Sequence, residues 1–250
     1  MVFGTEVDAL IGLRPTRPGA PSTVARRALR CTAVALDLVA RTVEVGGRHL
    51  SLLVPRSAEA VLDDVLDAGD TVPPYWADLW PSARALAAHL LERDDLAGAR
   101  VLELACGVGL PSVAALLQGA DVTASDVAPV AVRIAARNAR RCGRRRLTPL
   151  VVDLLDPPAE LLELAAFDVV LAADVLYRPE LGRGLAALLP HVVAHGGEAI
   201  VVHPFAGQGD ELVATLTGAG WHAARDDLPV PGWLDGRSTV HRIVLSRASR

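Results

Sequence analysis

The run Val101–Pro111 combines the residue types that let a ligand approach the backbone closely. Apolar residues at its start predict a buried strand that carries one acid, Glu103, and Pro111 suits the first turn of a following helix. Between them, Gly107 and Gly109 predict a tight turn with no Cβ in the way. This pattern favours a site for a nucleotide-like ligand, and a turn that simply needs glycine is the alternative.

The glycine spacing separates two classes of cofactor site. Dinucleotide-binding loops need a third glycine in the pattern G-x-G-x-x-G, and this chain has Ser112 at that position. The spacing therefore disfavours a nicotinamide-dependent oxidoreductase. The register of Glu103, Gly107 and Gly109 instead resembles the E/D-x-x-x-G-x-G loop of class I S-adenosylmethionine (SAM) methyltransferases.

Acids follow the next two predicted strands. Asp126 lies 17 residues beyond Gly109, near the spacing at which an acid holds a ribose diol. A helix-capping role is the alternative for Asp126. Asp153 ends the strand predicted over Leu150–Asp153, where it is positioned to meet an adenine amino group.

An aromatic stretch precedes the glycine run. Tyr75, Trp76 and Trp80 fall within six residues, directly after a Pro-Pro pair. Aromatic rings can form a wall beside a cation, because a sulfonium or an ammonium group is attracted to a π face. The alternative is a loop that is clamped onto the core by burial of these rings.

Polar side chains also end the fourth and fifth predicted strands. Phe167–Ala173 runs into Asp174 and Tyr177, and Gly197–His203 ends in a histidine. A carboxylate can accept hydrogen bonds from an ammonium group, and a histidine can act as a base. A capping carboxylate and a structural histidine are the alternatives.

The elements around these residues predict an α/β fold. Alternation over Thr42–Val45 and Leu50–Val54, separated by Gly46-Gly47, predicts a hairpin. From the glycine run onward, strands and helices alternate, which is typical of a doubly wound, mostly parallel sheet. The further predicted strands are Asp121–Ser125, Trp221–Asp227 and Thr239–Ser246, and the main helices are Pro81–Arg93, Pro129–Arg141 and Gly207–Gly218.

Composition limits the remaining function classes. The net charge of −4 argues against a general nucleic-acid binder, and the arginines near residues 140–146 read as a solvated helix end. No run of about 18 apolar residues lacks a charge, so no membrane span is expected. The first residues do not resemble a signal peptide, and we expect a cytoplasmic protein.

Three scattered cysteines predict neither a disulfide framework nor a metal site.

From about residue 73 onward the chain resembles class I SAM methyltransferases, and within them the seven-strand protein-lysine methyltransferases. Three segments carry this resemblance: PPYWADLWPSARALAAHLL, VLELACGVGL and DVVLAADVLY. It implies a Rossmann-like, mostly parallel seven-stranded sheet with helices on both faces and an antiparallel last strand. It also implies that SAM contacts Trp80, Asp126, Asp153, Asp174 and the loop positions Glu103, Ala105, Gly107 and Gly109.

The resemblance implies that Asp174 and Tyr177 stand at the methyl-transfer site, with Tyr75, Trp76 and His203 as candidates on the acceptor side. Methylation of a protein lysine, with S-adenosylhomocysteine as the other product, is the function expected first. Methylation of a small amine or indole metabolite is the second hypothesis, and a non-catalytic binding module of the same fold is the third. Neither the acceptor nor the oligomeric state follows from the residues.

The expected organisation is a methyltransferase domain over residues 71–250, preceded by an N-terminal α/β extension over residues 1–70. The extension should contain an arm rich in proline, glycine and arginine with a short helix over Thr23–Leu29, then the hairpin and a helix. It matches no pattern that we can name, and we expect it to cap the acceptor side.

Overall fold

The computed structural model describes residues 37–67, 74–143, 147–164, 166–230 and 238–247, with side chains in the first range described as far as residue 62. The predicted arm, its short helix over Thr23–Leu29 and the arginines at 144–146 lie outside the described residues.

Nine strands and seven α-helices are formed within these ranges, with one 3₁₀ turn over Tyr75–Ala77. The strands are β1 (Leu38–Val45), β2 (Arg48–Pro55), β3 (Arg100–Leu104), β4 (Asp121–Asp126), β5 (Thr148–Val151), β6 (Phe167–Ala173), β7 (Val193–His203), β8 (His222–Pro229) and β9 (Thr239–Ser246). The helices are α1 (Ala58–Asp67), α2 (Pro81–Glu92), α3 (Leu110–Leu117), α4 (Pro129–Gly143), α5 (Ala159–Glu163), α6 (Pro179–Val192) and α7 (Asp210–Gly218).

The main sheet has seven strands in the order β5-β4-β3-β6-β7-β9-β8. The pairs from β5 to β7 are parallel, and β9 runs antiparallel to both β7 and β8. This confirms the predicted mostly parallel sheet with an antiparallel last strand. The strand order reverses between β3 and β6, and in open α/β sheets ligands bind outside the carboxyl ends of the strands at such a point.

Alternation along the strands separates two hydrophobic cores, one on each face of the sheet. Val101, Val169 and Ile200 pack with α2, α3 and α4 on one face. Leu102, Val170 and Val201 pack with α5, α6 and α7 on the other. Both faces of this parallel sheet are therefore covered by helices, as the apolar strands require.

The hairpin β1–β2 forms as predicted, with longer strands. Gly46 and Gly47 close it with φ of 52° and 69°, the left-handed conformation that glycine adopts without strain. Its apolar residues, among them Leu52 and Val54, join the core that contains α2, α3 and α4.

Asn138 on α4 fastens this hairpin to the glycine loop. Its Oδ1 accepts a hydrogen bond from the amide of Leu53 at 2.6 Å, and its Nδ2 donates to the Leu53 carbonyl at 3.0 Å. The same Nδ2 donates to the carbonyl of Val108 at 2.9 Å. Because the Asn138 side chain is fully buried, these hydrogen bonds form without competition from water.

Helix α6 has no counterpart among the predicted elements, because Gly182, Gly184 and Pro190 weaken its helical signal. Packing explains at least one of these residues: a Cβ on Gly184 would lie 2.5 Å from the carbonyl oxygen of Leu154. Several other boundaries move by a few residues, and the largest shifts are these. β5 ends at Val151 and leaves Asp153 beyond the strand, β7 begins at Val193, and α7 begins at Asp210.

In the described part of the chain, no helix combines the length and the apolar composition needed to cross a bilayer.

Candidate active site

The glycine loop after β3 is held in a left-handed path by contacts on both sides. Ala105, Gly107 and Gly109 have φ of 55°, 52° and 81°. A Cβ on Gly109 would lie 2.5 Å from the Cβ of Ala135, and one on Gly107 would lie 3.2 Å from the carbonyl oxygen of Trp76. Glycine is therefore required at both positions, by the backbone conformation and by the space available.

Asp126, at the end of β4, braces this loop. Its Oδ2 accepts a hydrogen bond from the amide of Gly107 at 3.0 Å, and its Oδ1 accepts one from the amide of Ala128 at 2.9 Å. Burial raises the pKa of Asp126, and these amide donors oppose that rise. Asp126 thus combines the predicted capping role with a position beside the loop, and each carboxylate oxygen can accept a further hydrogen bond.

Glu103 points into the protein. Its Oε2 accepts hydrogen bonds from both the amide and the hydroxyl of Ser112, in the first turn of α3. Complete burial raises the pKa of Glu103 to about 8, although the bonds from Ser112 act in the opposite direction. Glu103 therefore holds the start of the helix that follows the glycine loop.

The aromatic stretch lies against the glycine loop, as the Trp76 contact with Gly107 shows. The ring nitrogen of Trp80 donates to the carbonyl of Tyr75 at 2.8 Å. The Tyr75 ring meets Trp80 edge-on at 6.0 Å and Tyr177 edge-on at 5.3 Å. The rings of Trp80, Tyr75 and Tyr177 form an aromatic row, in which Tyr177 remains 45% exposed.

Asp174 leaves β6 with a φ of 56°, a conformation that is costly for most residues and tolerated by Asp. Regular alternation along β6 would place the Asp174 side chain on the same face of the sheet as Ala172, the face that α5, α6 and α7 cover. Its Oδ1 instead accepts a hydrogen bond from Ser82 Oγ on α2, which covers the opposite face. Its Oδ2 is buried without a hydrogen-bond partner. Burial raises the pKa of Asp174 to about 7, against the opposing effect of Ser82.

The remaining predicted residues occupy the same edge of the sheet. Asp153 follows β5, and its Oδ1 accepts a hydrogen bond from the amide of Leu155 at 2.9 Å. His203 ends β7 and is 3% exposed, with its Nδ1 3.0 Å from the carbonyl oxygen of Phe205. Burial lowers the pKa of His203, so the neutral ring is favoured.

The predicted residues thus form two groups. Trp76 and Asp126 meet at the glycine loop, and the aromatic row lies with Asp174 beside β6. Sequence reasoning missed Ser82 and Ser112, the hydroxyl partners of the two buried acids. The signal for them was weak: a serine in the first turn of a helix that follows a motif.

This arrangement can bind a ligand through backbone amides at the loop and a cation beside Asp174. A carboxylate with one unpartnered oxygen, next to aromatic rings, suits an ammonium group. In the described ranges, no three His, Cys, Asp or Glu side chains are arranged to hold a metal ion.

Comparison with known proteins finds a methyltransferase match for part of the chain. Residues 102–199 match the family model described as a methyltransferase domain, and this range extends from β3 into β7. The electron transfer flavoprotein beta subunit lysine methyltransferase of Danio rerio is 35% identical over 136 residues, which cover 52% of this chain and 50% of that protein. The chain therefore spans about half the length of the curated relatives it matches.

Two other proteins that are named as methyltransferases are also similar to this chain. Magnesium-protoporphyrin O-methyltransferase of Rhodobacter capsulatus is 40% identical over 98 residues, which cover 38% of this chain and 42% of that protein. The crystal structure of magnesium protoporphyrin IX methyltransferase from Synechocystis PCC 6803 with bound SAM superimposes with a TM-score of 0.52 at 19% identity. That superposition covers 66% of this chain and 78% of the other and supports the fold.

Proposed function

We propose that this chain, which matches a methyltransferase domain model over residues 102–199, is a SAM-dependent methyltransferase that N-methylates a lysine side chain of a protein. One observation carries the proposal: Asp174, a buried carboxyl group with one unpartnered oxygen, stands at the strand-order switch point beside the glycine loop. Burying such a group without a partner is costly. A ligand that supplies a hydrogen-bond donor would remove that cost.

The residues at the loop fit SAM. Left-handed backbone at Ala105, Gly107 and Gly109 forms a cradle that side chains would fill, and Asp126 keeps acceptor capacity beside it. We assign the methionine side of SAM to this loop, its ribose to Asp126, its adenine to Asp153, and contacts beside the transfer site to Trp80 and Asp174. Glu103 acts indirectly, by holding α3. When bound, SAM supplies a methyl group on a positively charged sulfur.

The acceptor amine must be aligned, shielded from water and deprotonated before it can react. Asp174 Oδ2 is placed to accept a hydrogen bond from the incoming ammonium, which would favour the ionised carboxylate. Ser82 fixes the other oxygen, so the direction of that hydrogen bond is set before the acceptor arrives. Tyr177, partly exposed at the end of the aromatic row, orients the acceptor.

The aromatic row contributes affinity for the alkylammonium side chain. A cation over a tyrosine or tryptophan face gains roughly 0.5–1 kcal/mol at exposed sites and more where water is excluded. Tyr75 and Trp76 would form this wall together with Tyr177. The relatives named as lysine methyltransferases support a lysine acceptor, including a protein N-lysine methyltransferase of Danio rerio that is 30% identical over 129 residues.

A small molecule is the second candidate acceptor. The 40% identity to an enzyme named as a porphyrin O-methyltransferase favours it, and a flat ring could stack on the aromatic row. Three further predictions stay untested: residues 1–70 as a cap on the acceptor side, a cytoplasmic location and the absence of nucleic-acid partners.

The test is transfer of labelled methyl groups from SAM into an extract of the source cells, separated into macromolecules and small molecules. Asp174→Ala should abolish transfer, whereas Asp121→Asn, at the opposite edge of the sheet, should not. Label in one protein band, located on lysine by mass spectrometry, is the expected result. The chain contains no lysine, so lysine methylation of the enzyme itself cannot contribute.

Label found only among small molecules would contradict a protein acceptor and support methylation of a small molecule instead. Absence of label in both fractions, with SAM binding intact by calorimetry, would favour a non-catalytic module. Loss of SAM binding altogether would contradict the assignment of the glycine loop.

A further inference from the structure

Helix α4 carries an arginine stripe on its solvent side. The stripe consists of Arg133, Arg137 and Arg140, which are exposed and whose spacing places them on one face of the helix. Arg141 is also exposed and adjoins the stripe in the last turn. The helix contains no acidic residue, so the stripe concentrates positive charge in a chain whose net charge is −4.

The arginine stripe has no counter-charge among the described residues. Arg133, Arg137 and Arg140 form no ion pair with any acid in the part of the chain that the structure describes, although exposed arginines on other elements do. Arg141 donates a hydrogen bond to the hydroxyl of Ser51 at 3.0 Å, and this neutral partner leaves its charge uncompensated. Like charges three or four residues apart on a helix repel one another, so an anion facing the stripe would stabilise it.

The helix dipole explains only the end of this basic surface. Cations are stabilised in the last turn of a helix, where Arg140 and Arg141 lie. Arg137 precedes that turn, and Arg133 lies in the N-terminal half, where the dipole does not stabilise a cation. The solvated helix end expected from the sequence therefore accounts for the last two arginines, but not for Arg133 and Arg137.

The arginine stripe and the glycine loop lie on opposite sides of α4. Ala135 packs so closely against Gly109 that a Cβ on the glycine would lie 2.5 Å from the Cβ of Ala135. Around the helix axis, Ala135 is about half a turn from the stripe. Since an α-helix with its side chains is roughly 10 Å across, a partner on the stripe would lie about one helix diameter from the loop.

The chemistry of the stripe favours an acidic protein surface over a nucleic acid. Guanidinium groups form strong, paired hydrogen bonds with carboxylates. Helix α4 contains no aromatic residue on which a base could stack, and the net negative charge of the chain opposes a polyanionic backbone. Residues 1–36 of this chain carry more arginines than acids, so they do not complement the stripe.

We propose that Arg133, Arg137 and Arg140 form a docking surface for an acidic patch on the protein that accepts the methyl group. This inference rests on the proposed methylation of a protein. Opposite charges raise the rate of encounter and orient the two proteins, whereas the chemical step takes place beside Asp174. The stripe therefore acts on the KM for a protein acceptor and leaves kcat unchanged.

The experiment compares the wild-type enzyme with two triple variants that lose the same charge. The stripe variant is Arg133→Gln/Arg137→Gln/Arg140→Gln. The control variant replaces three exposed arginines that have acidic partners on other elements, Arg56→Gln/Arg183→Gln/Arg225→Gln. Exposed ion pairs contribute little to stability, so the control variant should fold normally.

Methyl transfer is measured with the acceptor protein that the labelling assay identifies, at low ionic strength and at about 1 M salt, where the Debye length is about 3 Å. At low ionic strength we expect the stripe variant to raise KM about tenfold with kcat unchanged. The difference should disappear at high salt, and the control variant should resemble the wild type. An unchanged KM in the stripe variant at low ionic strength would overturn the docking surface.

Binding is also measured without methyl transfer, by the fluorescence anisotropy of a labelled glutamate-rich peptide and of a labelled DNA duplex of equal charge. We expect the stripe variant to lose affinity for the peptide and not for the DNA. Loss of affinity for the DNA alone would replace the acidic protein with a nucleic acid. If the wild-type enzyme methylates no protein, the proposed function fails, and the peptide measurement still decides whether the stripe binds an acidic chain.

The melting temperature shows whether the stripe is already neutralised within the chain. Glutamine is about as good a helix former as arginine, and its introduction removes the repulsion along α4. The melting temperature of the stripe variant should therefore be unchanged or slightly raised at low ionic strength. A fall that high salt reproduces in the wild-type enzyme would reveal internal ion pairs and would overturn the proposal.

Discussion

Ala105 and Asp174 leave two neighbouring parallel strands with almost the same left-handed backbone, at φ of 55° and 56°. They are the only residues other than glycine with positive φ in the described ranges. Such a conformation costs of order 1 kcal/mol or more and persists where the surroundings impose it. The two strained residues flank the point where the strand order reverses, so strain and the proposed ligand site coincide.

The first prediction separates stability from activity at Asp174. Its carboxyl keeps a proton in the folded protein up to a pH of about 7, whereas in the unfolded chain it loses the proton near pH 4. The folded state thus binds more protons between these values, and stability falls as the pH rises through this window. Asp174→Asn should remove this loss and raise the free energy of unfolding at pH 8 by about 1–3 kcal/mol.

Urea unfolding at pH 5 and pH 8 measures this effect. Asparagine tolerates the left-handed backbone and can keep the hydrogen bond from Ser82, so no new strain is expected. Methyl transfer should be lost in the same variant. Equal destabilisation at both pH values would show that burial does not perturb Asp174.

The second prediction concerns Ser82, whose hydroxyl lowers the pKa of Asp174. Ser82→Ala should raise that pKa further and move the acidic limb of the kcat/KM profile to higher pH. At pH 7 the rate should fall about tenfold and partly recover at pH 9. A fall that is independent of pH would instead indicate that Ser82 only positions α2. Ser51→Ala on the hairpin serves as the control.

The third prediction compares two glycines with nearly equal φ. Gly109, at 81°, abuts Ala135, whereas Gly98, at 79°, has open space around a Cβ. Gly109→Ala should cost about 3 kcal/mol or more in unfolding free energy and weaken SAM binding. Gly98→Ala should cost about 1 kcal/mol, from the backbone alone. Chemical denaturation and calorimetry measure both quantities, and equal costs would contradict the close packing at Gly109.

The fourth prediction tests the aromatic row. Tyr75→Phe keeps the ring and should leave the KM for a lysine peptide nearly unchanged, whereas Tyr75→Leu should raise it about fivefold. SAM affinity should be similar in both variants. If the two substitutions have the same effect on KM, the hydroxyl group or simple burial matters more than the π face.

The sheet was largely predictable because its strands are apolar and are separated by clear turns. β6 and β9 have the predicted boundaries, and the glycine loop follows β3 as expected. Helix α6 was missed because glycine and proline obscure it, and only tertiary packing explains its formation. Strand ends moved by a few residues where glycines or a bridge, such as that between Asp153 and Asp156, alter the ladder.

The sequence was sufficient to select the acidic residues of the site, but not to identify the side chains that they contact. Asp126 and Asp174 could be selected because each follows a strand, and strand ends meet at one edge of a parallel sheet. Their partners could not, since Ser82 is 92 residues from Asp174 in sequence. The pairing of His203 with His241 depends on the register of the antiparallel strands β7 and β9, which local patterns do not specify.

Asn138 makes the hairpin a possible reporter of events at the glycine loop. Its side chain joins the Leu53 amide to the Val108 carbonyl, so opening at either end breaks a shared set of hydrogen bonds. A ligand that stiffens the loop should therefore slow hydrogen exchange at Leu53, far along the chain from the bound molecule. Occupancy of the loop could then be read from a single amide in the N-terminal extension, without any substrate at hand.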